Sequence, residues 1–278
     1  MKKVLERTHP AVLLVYFLVN FVAVVWSRHP WMTGIQTVCL CTMYLYHQKN
    51  IKKLLPYGGV FCLAAITNPL FVQRGRTILF YIGNIRITWE AFLYGIHYGC
   101  LLVNVLWMFS IMNRYFRREH WIYISGSVFP QTGVILSMAM GLIPKYKKQA
   151  GLMMEAQKNL KKEFMFRRVM KVFSMETTWA FENSMDQLDS MNARGYGMKK
   201  RSHFHLFQFE RKDMFRLVQI LLLAAFNGYG YVKYYSRFFF YPMIIWNPVK
   251  NVDCIFIILM AIQILLPFLW RDGNYVSD

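Results

Sequence analysis

Acidic residues are scarce in this chain: 14 Asp and Glu stand against 33 Lys and Arg over 278 residues, a formal charge of +19. Charge of either sign is also scarce, at 17% of residues, where a soluble domain carries about a quarter. Together with a hydrophobic share of 56%, that shortage excludes an ordinary soluble domain. Cysteine is limited to five residues, an odd number, and Cys39, Cys41, Cys62, Cys100 and Cys254 all lie inside apolar runs. This excludes a disulfide scaffold and makes them small buried hydrophobes. No Gly-x-x-x-x-Gly-Lys-Ser/Thr loop occurs, so nucleotide is expected on partners, and no cofactor is expected. What is present in abundance is aromatic: 23 Phe, 17 Tyr and 8 Trp, far too apolar for a disordered tail. The expectation is a polytopic membrane protein.

Runs free of Asp, Glu, Lys and Arg cover residues 8–27, 29–48, 54–73, 91–113, 121–144, 217–232 and 254–270. A helix rises about 1.5 Å per residue, so about 20 residues cross a hydrocarbon core of about 30 Å. The first five runs are long enough, and the last two are marginal unless flanking side chains snorkel. Trp26, Trp31, Tyr44, Tyr46, Trp121 and Trp270 at the run ends suit a headgroup belt. The aromatic piece 238–248, broken by Pro242 and ended by Pro248, reads as an interfacial turn or re-entrant segment. After the first run, Arg28-His29-Pro30-Trp31 offers no small-x-small cleavage site, so the run is expected to stay in the mature protein. Between the third and fourth runs, residues 77–88 form a β-branched and aromatic stretch split by Gly83-Asn84, the signature of a short hairpin, expected on the external face.

Residues 1–144 hold 13 basic and 3 acidic residues, close to run edges; residues 145–216 hold 16 basic and 8 acidic. The mixed signs of the second stretch suggest a cytosolic module between two membrane parts, giving three expected regions: 1–144, 145–213 and 214–278. Lys2/Lys3/Arg7, Lys49/Lys52/Lys53 and Arg114/Arg117/Arg118 place the N terminus and the second and fourth connections inside as well. A fifth crossing at 121–144 would then put Lys145 outside. Either one run does not cross, with the Gly126/Pro130/Gly133 run the candidate for a tilted or partial span, or the N terminus is outside.

Within the module Pro144 is suited to open a helix. Tyr146, Ala150, Met153, Ala156, Leu160 and Phe164 then recur at spacings of three and four, with lysines on the other face. A second amphipathic helix is expected from about Ser174 to Ala193, with Trp179, Phe181, Met185, Leu188 and Met191 apolar and Glu182, Asp186 and Asp189 polar. Gly195 supplies a left-handed stop. Such helices suit a lipid surface or a cytosolic partner, and the acids of the second favour the partner. An Arg between small neighbours, as in Ala193-Arg194-Gly195, can enter a groove and fork onto a carboxylate; an Arg there also simply complements the helix dipole.

The stretch Ala193-Arg194-Gly195-Tyr196-Gly197 resembles the second Ala-Arg-Gly signature of the transmembrane T component of energy-coupling factor (ECF) transporters, the cobalt- and biotin-type permease family. Lys199-Lys200-Arg201 and Arg211-Lys212-Asp213 after it also look like that family. So do Asn68-Pro69-Leu70-Phe71, Ile87-Thr88-Trp89-Glu90-Ala91, Ile143-Pro144 and Glu155-Ala156-Gln157. The likeness covers roughly residues 10–268. By register the first signature should fall on Asn159-Leu160-Lys161, where no Arg stands; a Lys there keeps charge but loses the planar fork.

The resemblance implies an all-α helical bundle carrying long coupling helices, in the plasma membrane of a bacterium, and no catalysis by this chain. It implies two cytosolic ATP-binding-cassette ATPases and a small membrane-embedded substrate-binding S component as partners, for uptake of a vitamin or metal ion. Ala193, Arg194 and Gly195 would dock one ATPase and Lys158, Lys161 and Lys162 the other. Met153, Phe164, Trp179 and Met185 would face the S component. A nucleic-acid partner is not expected. Two rivals are the permease domain of a conventional ABC importer, with one brief coupling helix, and a membrane-embedded lipid-modifying enzyme, for which 1–144 offers only three acids. His203-x-His205 has no further metal ligands and reads as a headgroup-facing or solvated strand. Glu90 reads as a cap on the fourth membrane helix.

Overall fold

The computed structural model describes residues 8–48, 51–72, 75–82, 85–160, 164–197, 207–235, 238–241, 244 and 251–270. Among them are nine α-helices and one two-stranded hairpin. The chain divides into two compact units, one made of residues 1–117 with 207–278 and one of residues 118–206.

The first unit contains α1 (Pro10–Val25), α2 (Pro30–Gln48), α3 (Leu55–Phe71), α4 (Trp89–Tyr115), α8 (Arg211–Gly230) and α9 (Asn251–Leu269), with strands β1 (Ile78–Ile82) and β2 (Ile85–Thr88) between α3 and α4. Lys52–Phe71, Trp89–Tyr115 and Arg211–Lys233 are long and apolar enough to cross a membrane. Local chemistry sets the helix starts. Pro10 opens α1 with His9 Nδ1 accepting from the Ala11 N–H, and Thr88 Oγ1 accepts from the Ala91 N–H at the start of α4. Glu210 and Asp213 form a reciprocal capping box on α8.

Close helix approach comes from small residues. A Cβ added at Gly95 of α4 would sit 2.6 Å from the Ala65 carbonyl oxygen of α3, and one at Gly99 would sit 3.0 Å from the Phe61 ring. On α8, Gly230 leaves room for the Phe256 ring of α9. Tyr16, Phe17, Leu40, Met43, Tyr44, Ile111 and Ile264 form the core. Tyr16 donates its hydroxyl to the Ile264 carbonyl at 2.7 Å, and Tyr44 stacks on Trp107 at 6.0 Å. Two buried amides bond across helices: Asn104 Nδ2 donates to the Thr33 carbonyl and Gln36 Nε2 to that of Ala23. At one end Arg114 donates to the His47 carbonyl, while His47 Nδ1 and the Tyr115 hydroxyl share a 2.6 Å hydrogen bond.

The strands pair antiparallel, Ile82 facing Ile85 as a two-residue turn requires, with a register shift between Ile78 and Phe80; the turn Gly83-Asn84 lies outside the described residues. Glu90 does not cap α4. Thr88 holds that position, and the buried Glu90 carboxylate accepts from the N–H groups of Arg76 (3.3 Å) and Thr77 (3.2 Å), fastening the chain before β1 to the helix. Gly75 is required at this crossing, since a Cβ there would come within 2.6 Å of both Glu90 Oε2 and Thr88 Oγ1.

The second unit consists of α5 (Arg118–Val128), α6 (Pro130–Leu160) and α7 (Met165–Ala193). Three sequence expectations are answered here. The run 121–144 is not one helix: it breaks at Phe129-Pro130, and α6 doubles back along α5. Thr132 Oγ1 donates to the Phe129 carbonyl at 2.7 Å and to that of Ser125 at 3.2 Å, closing the turn. Gly126 and Gly133 let the two helices touch, because a Cβ on Gly133 would lie 2.5 Å from the Gly126 Cα. The second change concerns Pro144, which opens no helix but lies inside α6. It sits on the exposed side, where the carbonyl four residues back, freed by the missing N–H, can meet solvent. The following helix starts at Met165 rather than near Ser174.

Candidate functional site

α6 and α7 lie side by side through facing stripes. On α7 Val172, Met175, Trp179, Asn183 and Gln187 recur at helical spacing on the side turned to α6. The Trp179 ring meets Tyr146 edge-on at 5.4 Å, and Gln157 Nε2 approaches Met175 Sδ at 3.9 Å. The opposite stripe of α7 is apolar and uncovered within this unit: Phe166, Met170, Phe173, Phe181, Met185 and Leu188 are all exposed. A soluble helix buries such a stripe, and here nothing among the described residues of the unit does. Charge on α7 is segregated along its length. Arg167, Arg168 and Lys171 occupy the first turns, while Glu176, Glu182, Asp186 and Asp189 follow with no base before Arg194.

The end of α7 is built by a Schellman motif. Tyr196 N–H donates to the Met191 carbonyl at 3.0 Å and Gly195 N–H to that of Asn192 at 2.9 Å, with Gly195 at φ 75°. Gly197 at φ 95° turns the chain again two residues later. Each position favours glycine because a Cβ is strained in the left-handed region. The consequence is that Arg194, in the last residue before the reversal, stands exposed with exposed Ala193 on one side and Gly195 on the other. It makes no ion pair among the described residues.

Lys158 is exposed in the last turn of α6; Lys161 and Lys162 lie outside the described residues, as do Lys199-Lys200-Arg201 and His203-x-His205. Met153 and Trp179 are half-buried along the α6–α7 contact, whereas Phe164 and Met185 are open, at 82% and 67% exposure. Among the described residues no cluster of three or more His, Cys, Asp or Glu could hold a metal ion. Sequence reading missed the apolar start of α7. Phe166, Met170 and Phe173 continue the Phe181/Met185/Leu188 stripe at spacings that periodicity by itself reveals.

Fold and site together define a mostly helical protein with helices able to span a membrane and a second, charged helical unit ending in an exposed arginine. A scan against protein-family models and a search of curated proteins both find no match for this chain.

Proposed function

We propose that this protein is the transmembrane coupling subunit, the T component, of an ECF-type ABC importer. The observation that carries the reading is the end of α7: an exposed Arg194 held between Ala193 and Gly195 by a Schellman turn. Small neighbours let a partner's groove close around the guanidinium, and its planar fork matches a carboxylate. In this reading Arg194 docks one cytosolic ATPase, Lys158 with Lys161 and Lys162 approaches the other, and the uncovered stripe of α7 through Met185, with Phe164, meets a substrate-binding membrane subunit. ATP-driven closure of the ATPases moves the α6–α7 pair, which passes the motion to that subunit for release of a vitamin or metal ion inside the cell.

Topology supports a cytosolic second unit in a multi-pass membrane protein. If α1 to α4 cross, the N terminus and Arg114–Arg118 are inside and the hairpin is outside. In this reading α6, which turns back on α5, keeps residues 121–144 from crossing, and Lys145 stays on the side of Arg118. α8 and α9 then cross out and back. The parity conflict created by five full spans then disappears, with the N terminus, Lys49/Lys52/Lys53 and Arg114/Arg117/Arg118 inside, although Arg74, Arg76 and Arg86 accompany the hairpin outside.

The test is co-purification. Arg194→Glu should abolish recovery of the ATPases with the membrane-extracted protein while leaving insertion and yield of the chain intact. A charge-assisted hydrogen bond contributes about 1.5–3 kcal/mol, and charge reversal adds repulsion. Normal recovery of the complex from that variant would defeat the assignment.

A further inference from the structure

The strongest feature that the coupling reading leaves unused is a pair of apolar grooves on either side of Trp26, in the first unit. The first, about 300 Å³, runs between α1, α8 and α9 and is lined by Leu18, Val22, Trp26, Asn227, Tyr231 and Gln263 among others. The second, about 330 Å³, lies along α1 against Phe21, Val25 and Arg28, and shares Val22 and Trp26 with the first. Trp26 is thus the wall between them. It is 55% exposed and meets Tyr231 edge-on at 5.7 Å.

The ends of the grooves differ from their floors. Trp26 and Tyr231 are the amphipathic rings that settle at headgroup depth, and Arg28, two residues after Trp26, lines the second groove beside it. The Tyr231 hydroxyl is buried with no hydrogen-bond partner among the described residues. Lys233, its ammonium 5.1 Å over the Tyr229 ring, adds a second positive charge at the same end of α8. An apolar cleft closed by a cation, beside an unused hydroxyl, matches a molecule with a long hydrocarbon tail and an anionic head. Two clefts meeting at one tryptophan match a molecule with two tails.

We infer that this surface holds one diacyl anionic phospholipid from the surrounding membrane, its chains straddling Trp26 and its phosphate on Arg28. In the topology above, the site faces the outer leaflet. The site is independent of the coupling role and stands or falls without it.

The experiment uses the full chain purified from membranes in mild detergent, washed free of loosely held lipid, with phospholipid counted by native mass spectrometry. A Cβ at Gly228, in the wall of the first groove, meets nothing within 4 Å, so Gly228→Leu fills the groove without disturbing the helix. The unaltered protein should retain one phospholipid per chain. Gly228→Leu should lose it, and Arg28→Gln should bind added dioleoyl phosphatidylglycerol about tenfold or more weakly, with little change for dioleoyl phosphatidylcholine. Added phosphatidylglycerol should raise the melting temperature of the unaltered protein but not of Gly228→Leu. Equal retention in all three proteins would mean unspecific annular lipid and overturn the inference. So would an unaltered protein that retains no lipid but co-purifies with a membrane protein that Gly228→Leu displaces.

Discussion

The reversal at Phe129-Pro130 can be tested through its two glycines, because they are not equivalent. A Cβ built on Gly133 meets the Gly126 Cα at 2.5 Å and its nitrogen at 3.0 Å, both backbone atoms that cannot rotate away. A Cβ built on Gly126 meets the Gly133 Cα at 3.6 Å, an ordinary contact. Gly133→Ala must push α5 from α6 by about an ångström, an overpacking cost of about 1–3 kcal/mol. Gly126→Ala carries no such cost and gains about 0.5–1 kcal/mol of helix propensity. Local opening of the α5–α6 pair, read by hydrogen exchange of amides in 118–140, should therefore accelerate about 5- to 150-fold in Gly133→Ala and slow slightly in Gly126→Ala. Equal effects from the two substitutions, or faster exchange in Gly126→Ala alone, would refute the close crossing and with it the argument that residues 121–144 turn back rather than cross.

Further outcomes follow from single contacts. Tyr115→Phe keeps the ring packed on His47 and removes the hydroxyl from a buried 2.6 Å bond, so thermal stability in detergent should fall by about 1–3 kcal/mol. Glu90→Gln weakens the hold on the Arg76 and Thr77 amides, and trypsin should cut at Arg76 and Arg86 several-fold faster, with the rest of the digestion pattern unchanged. His9 titrates below its ordinary value of 6.5, because burial outweighs the opposing pull of Asp213. The unfolded chain then binds the proton first, so His9 contributes stability that is complete above pH 6.5 and is lost as pH falls below it. His9→Asn, which retains a capping side chain, should flatten that part of the melting-temperature profile.

Legibility in the sequence followed the range of the interactions. The helical bundle, the hairpin at 77–88 and the stop at Gly195 were readable because each depends on neighbours a few residues apart: apolar runs, β-branched residues around Gly-Asn, a left-handed glycine after a helix. Glu90 was misread for the opposite reason. From its place in the sequence it looks like a cap, but its partners are amides 13 and 14 residues earlier, brought to it by the hairpin. Pro144 was misread because proline at a helix start and proline on the exposed side of a long helix leave the same local pattern.

The sequence alone determined that this is a hydrophobic, basic, helix-rich chain, since composition and periodicity are properties of residues taken in order. It also determined that Arg194 sits between residues too small to shield it. Only the tertiary structure decided that residues 121–144 fold back, that α7 carries an uncovered apolar stripe along both its basic and its acidic half, and that Trp26 divides two clefts. Each of these depends on which surfaces meet at a few ångströms: the cleft beside Trp26 joins Leu18 to Gln263, more than two hundred positions apart in the chain.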